Sequence, residues 1–324
     1  MFKELAISTV VVSLGAAAFA SPPGYNYEGQ WGKPGFGDGE FNLPHGLATA
    51  PNGNVYTSDT WNHRVQYFNS TGSFLGKWGS EGMGKGKFML TGKLGISPTG
   101  LVYVPDVYTA CVQYFTANGS FLGKWGSLGS GNGEFDRPYG LSVSPNGDVY
   151  VLDGENNRVQ YFTASGSFLG KWGSLGTGDG QFKYPNDVAV APNGNVYVAD
   201  SGNYRMQYFT AVGSFLGKWG SQGSGNGEFW TTVGVAVAPD GTVFVCENSN
   251  SRVQYFTPTG SFLGKWGSRG SGYGEFIKPM SVAAAPAGGR LYVADTWNYR
   301  IQYFRESKPY VQPASLGKIR ALFK

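Results

Sequence analysis

Cysteine and histidine are nearly absent from this chain, with two of each in 324 residues. A catalytic zinc usually needs three protein ligands, and His45 and His63 alone supply no obvious set. Long apolar runs are as scarce. Residues 5–17 form one, and nothing else could cross a bilayer. No window is enriched in helix formers, which leaves short strands and tight turns. An excess of one charge is also missing from the body. Arg305, Lys308, Lys318, Arg320 and Lys324 against Glu306 account for the whole formal charge of +4, and Lys3 cancels Glu4. The remainder is about neutral and has no basic stripe for a phosphate backbone, so a nucleic-acid partner is not expected.

What is present is glycine, 52 residues of it, an aromatic content of 16%, and a period. Trp31, Trp78, Trp125, Trp172, Trp219 and Trp266 each follow the last by 47 residues. Each sits in one phrase, Gly-Ser-Phe-Leu-Gly-Lys-Trp-Gly at 72–79 and worn to Glu-Gly-Gln-Trp-Gly at 28–32. A fixed period of this size marks a repeat architecture. Between tryptophans, residues 187–191, 196–200, 205–209 and 214–220 read as four short strands joined by Asn-Gly and Gly-Ser turns, an antiparallel meander. Four-stranded sheets repeated radially are propeller blades. The first tryptophan phrase precedes any complete unit, and the last unit, ending at Phe304, lacks a fourth strand. The expectation is an all-β, six-bladed β-propeller of four-stranded antiparallel blades, closed by the N-terminal strand completing the last blade. Cys111 and Cys246 then fall in repeats 2 and 5, across the ring, as two buried unpaired thiols.

Three segments follow: a signal peptide at 1–20, the propeller at 21–304 and a basic tail at 305–324. Lys3, the apolar run and Ala18-Phe19-Ala20 form a secretory signal, cleaved near Ala20. The expected location is secreted, periplasmic or cell-surface, with no membrane contact beyond the signal segment and a monomeric propeller.

The unit Pro-Asn-Asp-Val-Ala-Val-Ala-Pro-Asn-Gly-Asn-Val-Tyr-Val-Ala-Asp-Ser-Gly-Asn-Tyr-Arg at 185–205, followed by Gln-Tyr-Phe and Gly-x-Phe-Leu, resembles the NHL repeat. The resemblance spans all six units and implies a six-bladed propeller. It implies no single activity. NHL propellers include RNA- and protein-binding domains of tripartite-motif proteins, a zinc-dependent lyase acting on peptidyl-hydroxyglycine, and many secreted proteins.

Positions equal in every repeat serve the scaffold, and only departures can make a particular site. Asp59, Asp106, Asp153, Asp200, Glu247 and Asp295 end the second strands, with an arginine five residues later in every unit but one. Such pairs tie the intervening loop down. Cys111 replaces the arginine in repeat 2, so Asp106 is expected to lack its partner. The glycine-rich segments such as 129–135 open no helix and read as linkers between blades rather than phosphate loops. The departures cluster on one loop face: Trp61, His63, Tyr108, Tyr139, Glu155, Asn186, Tyr204, Trp297 and Tyr299 are the candidate ligand-binding residues. Trp61 and Trp297 become neighbours when the ring closes. Exposed tryptophan and tyrosine suit a protein, peptide or glycan ligand. No catalytic residue and no cofactor is assigned. The alternative reading is a metal-dependent lyase or hydrolase similar to the peptidyl-hydroxyglycine lyase type, active at the propeller axis. Its metal candidates are His45, Asp106 and Asp187. The positions matching His45 in the other repeats are Gly92, Tyr139, Asn186, Val233 and Met280, which does not favour it.

Overall fold

Alternating short strands and turns give six four-stranded antiparallel sheets in the computed structural model, which describes residues 24–307. The expected signal segment and most of the basic tail lie outside the described residues. Each sheet is a blade. Blade 4 is typical, with strands Asp187–Val190, Val196–Asp200, Arg205–Phe209 and Phe215–Trp219 in sequential order from the axis outward. The only helical elements among the described residues are three single 3₁₀ turns, Thr60–Asn62, Ser201–Asn203 and Thr296–Asn298.

The ring closes as the leftover strands require. Tyr25–Trp31 pairs antiparallel with Arg300–Glu306, matching Tyr25 to Glu306 and Trp31 to Ile301. The last strand therefore runs two residues past the boundary read from the sequence. Glu28, on the closing strand, forms ion pairs with Arg290 and Arg305 of the sheet it completes. Closure gives the sixth blade the same four strands as the others, with Tyr25–Trp31 as its outer edge, so that Arg300–Glu306 is paired on both sides.

The tryptophans are the contact between blades. Trp31 packs against Phe68 of blade 1, ring centres 5.6 Å apart, and against Tyr292 of its own blade. Gly72, in the third-to-fourth-strand turn of blade 1, must be glycine twice over. Its φ is +93°, and a Cβ there would lie 2.6 Å from Trp31 Cδ2. The next glycine–tryptophan pair, Gly119 over Trp78, repeats the distance at 2.6 Å.

A second link explains a departure in the sequence. Tyr56, Tyr103, Tyr150 and Tyr197 each donate their hydroxyl to a carbonyl in the outer turn of the next blade, at 2.9 to 3.0 Å. Blade 5 carries Phe244 instead. Its neighbour is the composite blade, whose third and fourth strands come from opposite ends of the described residues and are not joined by that turn. There Tyr25 packs edge-on to Phe244 at 5.4 Å. The hydroxyl is missing at the blade whose neighbour lacks the connecting turn that supplies the acceptor elsewhere, in keeping with the need of a buried polar group for a partner.

Candidate functional site

The loop face is built by one polar knot repeated around the ring. In blade 1 the Arg64 guanidinium donates to Asp59 Oδ2 at 2.7 Å and to the carbonyls of Phe36, Gly37 and Glu40. Asn62 donates to Asp59 and to the Gly35 carbonyl, and Gln66 donates to Asp59 and to the Glu40 carbonyl. The acid–arginine pair thus does more than hold its own loop. It clamps the glycine-rich linker down on the same face. Blades 3, 4, 5 and 6 repeat the pair at 2.5 to 2.7 Å, with every carboxylate fully buried. The residue before each clamp position, from His63 through Ala110, Asn157, Tyr204 and Ser251 to Tyr299, has φ between 50° and 55°. In the five clamped blades the ion pair offsets the cost of these non-glycine left-handed turns, which fix where the loop side chains emerge, and Ala110 adopts the same turn without an arginine.

Blade 2 differs at this knot. Asp106 lacks an arginine, as expected, yet it is not a free carboxylate. It is fully buried and accepts backbone N–H groups from Met89, Leu90, Tyr108 and Thr109. Cys111 is buried and unpaired, as is Cys246. Replacing Cys111 with arginine would restore the acid–arginine pair of the other five blades, without the asparagine that Thr109 stands in for here. Hydrogen bonds to charged groups contribute roughly 1.5–3 kcal/mol, so Cys111→Arg is expected to raise stability by about 1–2 kcal/mol, read as a higher denaturation midpoint with unchanged slope.

On the axis the six repeats contribute Gly46, Lys93, Gly140, Asp187, Gly234 and Ser281 at one level. Four small residues leave room for two charged ones. Lys93 Nζ lies 3.2 Å from Asp187 Oδ2, with both side chains almost wholly buried. Asp187 also accepts the Val188 N–H at 2.9 Å and the Val235 N–H at 2.8 Å. A Cβ on Gly140 would sit 2.8 Å from Asp187 Oδ1, and one on Gly46 2.7 Å from Lys93 Cα. Burial pushes the Asp187 carboxyl up and the Lys93 ammonium down from their ordinary values, and the attraction between them opposes both shifts. The pair floors an axial cavity of about 160 Å³, whose far end reaches Thr49, Ile96, Val143 and Val190 on the opposite face. His45 stands at the loop-face mouth. Its Nδ1 is enclosed without a hydrogen-bond partner, and burial, with the Lys93 charge beside it, lowers its pKa to about 3. The imidazole is therefore neutral at ordinary pH.

The three metal candidates do not assemble. Asp106 belongs to the blade 2 knot, away from the axis. Asp187 and His45 both flank Lys93, so the ammonium stands where a cation would have to sit, and no cluster of three acidic, histidine or cysteine ligands occurs among the described residues. The donor set does not fit an axial metal. Lys93 is not among the sequence-based candidates, and its signal is a lysine in a ring position otherwise filled by glycine, serine and one aspartate, one residue beyond the His45 register.

The loop-face candidates are placed unevenly. Trp61, Tyr108 and Trp297 are 60%, 71% and 58% exposed. Glu155 is exposed and paired with Arg137 at 3.2 Å. His63, Tyr139, Asn186, Tyr204 and Tyr299 are half-buried. Tyr204 packs against exposed Trp230 at 6.4 Å, and Asn186 donates to Ser201 Oγ at 2.8 Å, which commits its amide to the scaffold. Trp61 and Trp297 occupy equivalent 3₁₀ turns of adjacent blades. Thr296, beside Trp297, donates to the Pro44 carbonyl of blade 1 at 2.7 Å and ties the two turns' blades together. Tyr108 lies one blade further on, and Tyr139, Glu155 and Tyr204 continue around the face.

The NHL repeat family model matches residues 41–68, 135–162 and 182–209. No curated protein matches the chain. Among solved structures, a streptogramin B lyase is similar at 13% identity and a TM-score of 0.61, covering 87% of this chain and 98% of that one. A gluconolactonase from Xanthomonas campestris is similar at 13% identity and a TM-score of 0.62, covering 90% and 99%. A protein of unknown function from Bacteroides thetaiotaomicron is similar at 18% identity and a TM-score of 0.65, covering 88% and 76%. Likeness at these identities concerns the fold alone.

Proposed function

The chain is an NHL-repeat six-bladed β-propeller, and from that premise we propose that it is an exported, monomeric binding module whose loop face takes a protein, peptide or glycan ligand. One observation carries the reading: Trp61 and Trp297 both stand more than half exposed on adjacent, clamped turns of the same face. Isolated apolar side chains on a surface need no explanation, but two large exposed aromatics on equivalent, neighbouring turns can be engaged by one ligand. The blade 6 positions equivalent to Asn248, Ser249 and Ser251 are Thr296, Trp297 and Tyr299. The step between blades 6 and 1 is therefore the aromatic one. Rigid placement also limits the side-chain entropy lost on binding. The apolar segment at 5–17 with Ala18-Phe19-Ala20 supports export.

The test is a glycan and peptide array probed with the wild-type protein and with Trp61→Ala and Trp297→Ala. Each substitution is expected to weaken retention on the selected ligand by on the order of tenfold, in line with aromatic interface anchors. Binding that survives both substitutions sinks the aromatic-face reading.

A further inference from the structure

Beside Trp297 the surface between blades 5 and 6 is concave. A cavity of about 190 Å³ opens there, walled by Asn248, Ser249 and Ser251 on one side and by Arg269, Lys278 and Trp297 on the other. Its chemistry is one-sided. Arg269 and Lys278 are exposed, and neither has an ion-pair partner among the described residues. The nearby carboxylates are occupied, since Glu275 accepts the Gly272 N–H of its own linker and Glu247 is buried on Arg252.

Blade 3 shows what the same positions do elsewhere. There Arg137 and Glu155 stand where blade 6 has Lys278 and Trp297, and they pair at 3.2 Å. In blade 6 an indole has replaced the carboxylate. The cation is kept, in the same left-handed backbone, with φ of 51° at Lys278 and 55° at Arg137. The exchange removes the internal counter-charge and puts an aromatic plate in its place.

We propose that this groove binds an acidic sugar, with the C–H face of the pyranose on Trp297, its carboxylate between Lys278 and Arg269, and its hydroxyls donating to Asn248 Oδ1 and Ser249 Oγ, whose own N–H and O–H are spent on Met280 Sδ and Thr231 Oγ1. This rests on the loop face being a binding surface and names the ligand class for one part of it. Charge complementarity sets the choice, because two unpaired cations beside an aromatic ring select an anionic ring over a neutral one. An Arg–Lys pair also suits a carboxylate, which accepts from both at once.

The experiment is a titration of the full chain with a hexuronate oligosaccharide, the matched neutral hexose oligosaccharide and an acidic aromatic peptide. The same ligands are then run on Lys278→Gln/Arg269→Gln, with its melting curve compared to wild type. The expected result is hexuronate binding that weakens at least tenfold in the double variant and in raised salt, with neutral-sugar binding unmoved and the melting curve intact. Hexuronate affinity unchanged by the double variant overturns the proposal. So does binding of only the neutral sugar or the peptide, and an array hit lost in Trp61→Ala would then leave the loop-face reading standing. Failure of all three ligands overturns the acidic-sugar assignment alone, because the wider array decides the other.

Discussion

Lys93→Met is expected to cost about 3–5 kcal/mol of folding stability, the usual loss when one member of a buried ion pair is removed. Methionine keeps most of the volume, so the loss is electrostatic. It leaves Asp187 almost wholly buried with two backbone N–H donors and no counter-charge. The sign of the pH dependence follows. The Asp187 carboxyl is already raised by burial, and losing the ammonium raises it further. An acid whose folded pKa exceeds its unfolded value binds more protons when folded, so stability falls as pH rises from the unfolded value toward the folded one. The variant should therefore be more stable at pH 5 than at pH 7, relative to wild type. Lys93→Met/Asp187→Asn keeps an acceptor for one N–H and removes the stranded charge. It is expected to recover more than half of the loss, giving a coupling energy that denaturant titrations read directly. Additive losses would mean that the pair is not coupled.

Removing residues 24–31 is expected to abolish the cooperative fold. The strand supplies the outer edge of blade 6, its Glu28 pairs with Arg290 and Arg305, and Tyr25 stacks on Trp266 at 4.9 Å. Its loss exposes Arg300–Glu306 as a free edge and uncovers Phe304. It also strips Trp31 from the contact with Phe68. These losses fall together on one strand. Their sum is on the order of 5–10 kcal/mol, comparable with the whole stability of a domain. A free edge in a closed ring also invites pairing between chains. The truncated chain should be aggregated or should melt without a sharp transition, and a peptide spanning 24–31 added in trans should restore a monomer. A cooperative transition within a few degrees of the intact chain would show that closure is dispensable.

Much of the fold is readable from the period, and the reason is physical. A propeller is nearly one-dimensional in sequence, so each strand pairs with its neighbour in the chain and only the closing strand must find a distant partner. Even that partner follows from the leftover phrase around Trp31. What the sequence does not display is reach. The knot joins Arg64 to carbonyls of the linker that precedes its blade, and nothing in the local motif states that a guanidinium spans that far. The Lys93–Asp187 pair crosses the axis between non-adjacent blades, so no strand pairing or short spacing signals it. Phe244 is conspicuous in the repeat, but its setting, beside the one blade whose third and fourth strands are not joined by a turn, needs the closed ring. The groove beside Trp297 combines residues of two blades whose unpaired cations are evident only once every carboxylate nearby has been accounted for. The candidate loop face was legible as a set of departures, and its half-buried members were not, because burial depends on the neighbouring blade.

The face carrying Trp61 and Trp297 is expected to bind a ligand. Isothermal titration of the ligand selected on the array tests it most directly, comparing wild type, Trp61→Ala/Trp297→Ala, and Val212→Ser. Val212 is 67% exposed on the opposite face, in the third-to-fourth-strand turn of blade 4. The double tryptophan variant is expected to lose at least tenfold in affinity with an unchanged melting temperature, while Val212→Ser binds as wild type. Undiminished binding by the double tryptophan variant, or loss on Val212→Ser instead, would contradict this expectation.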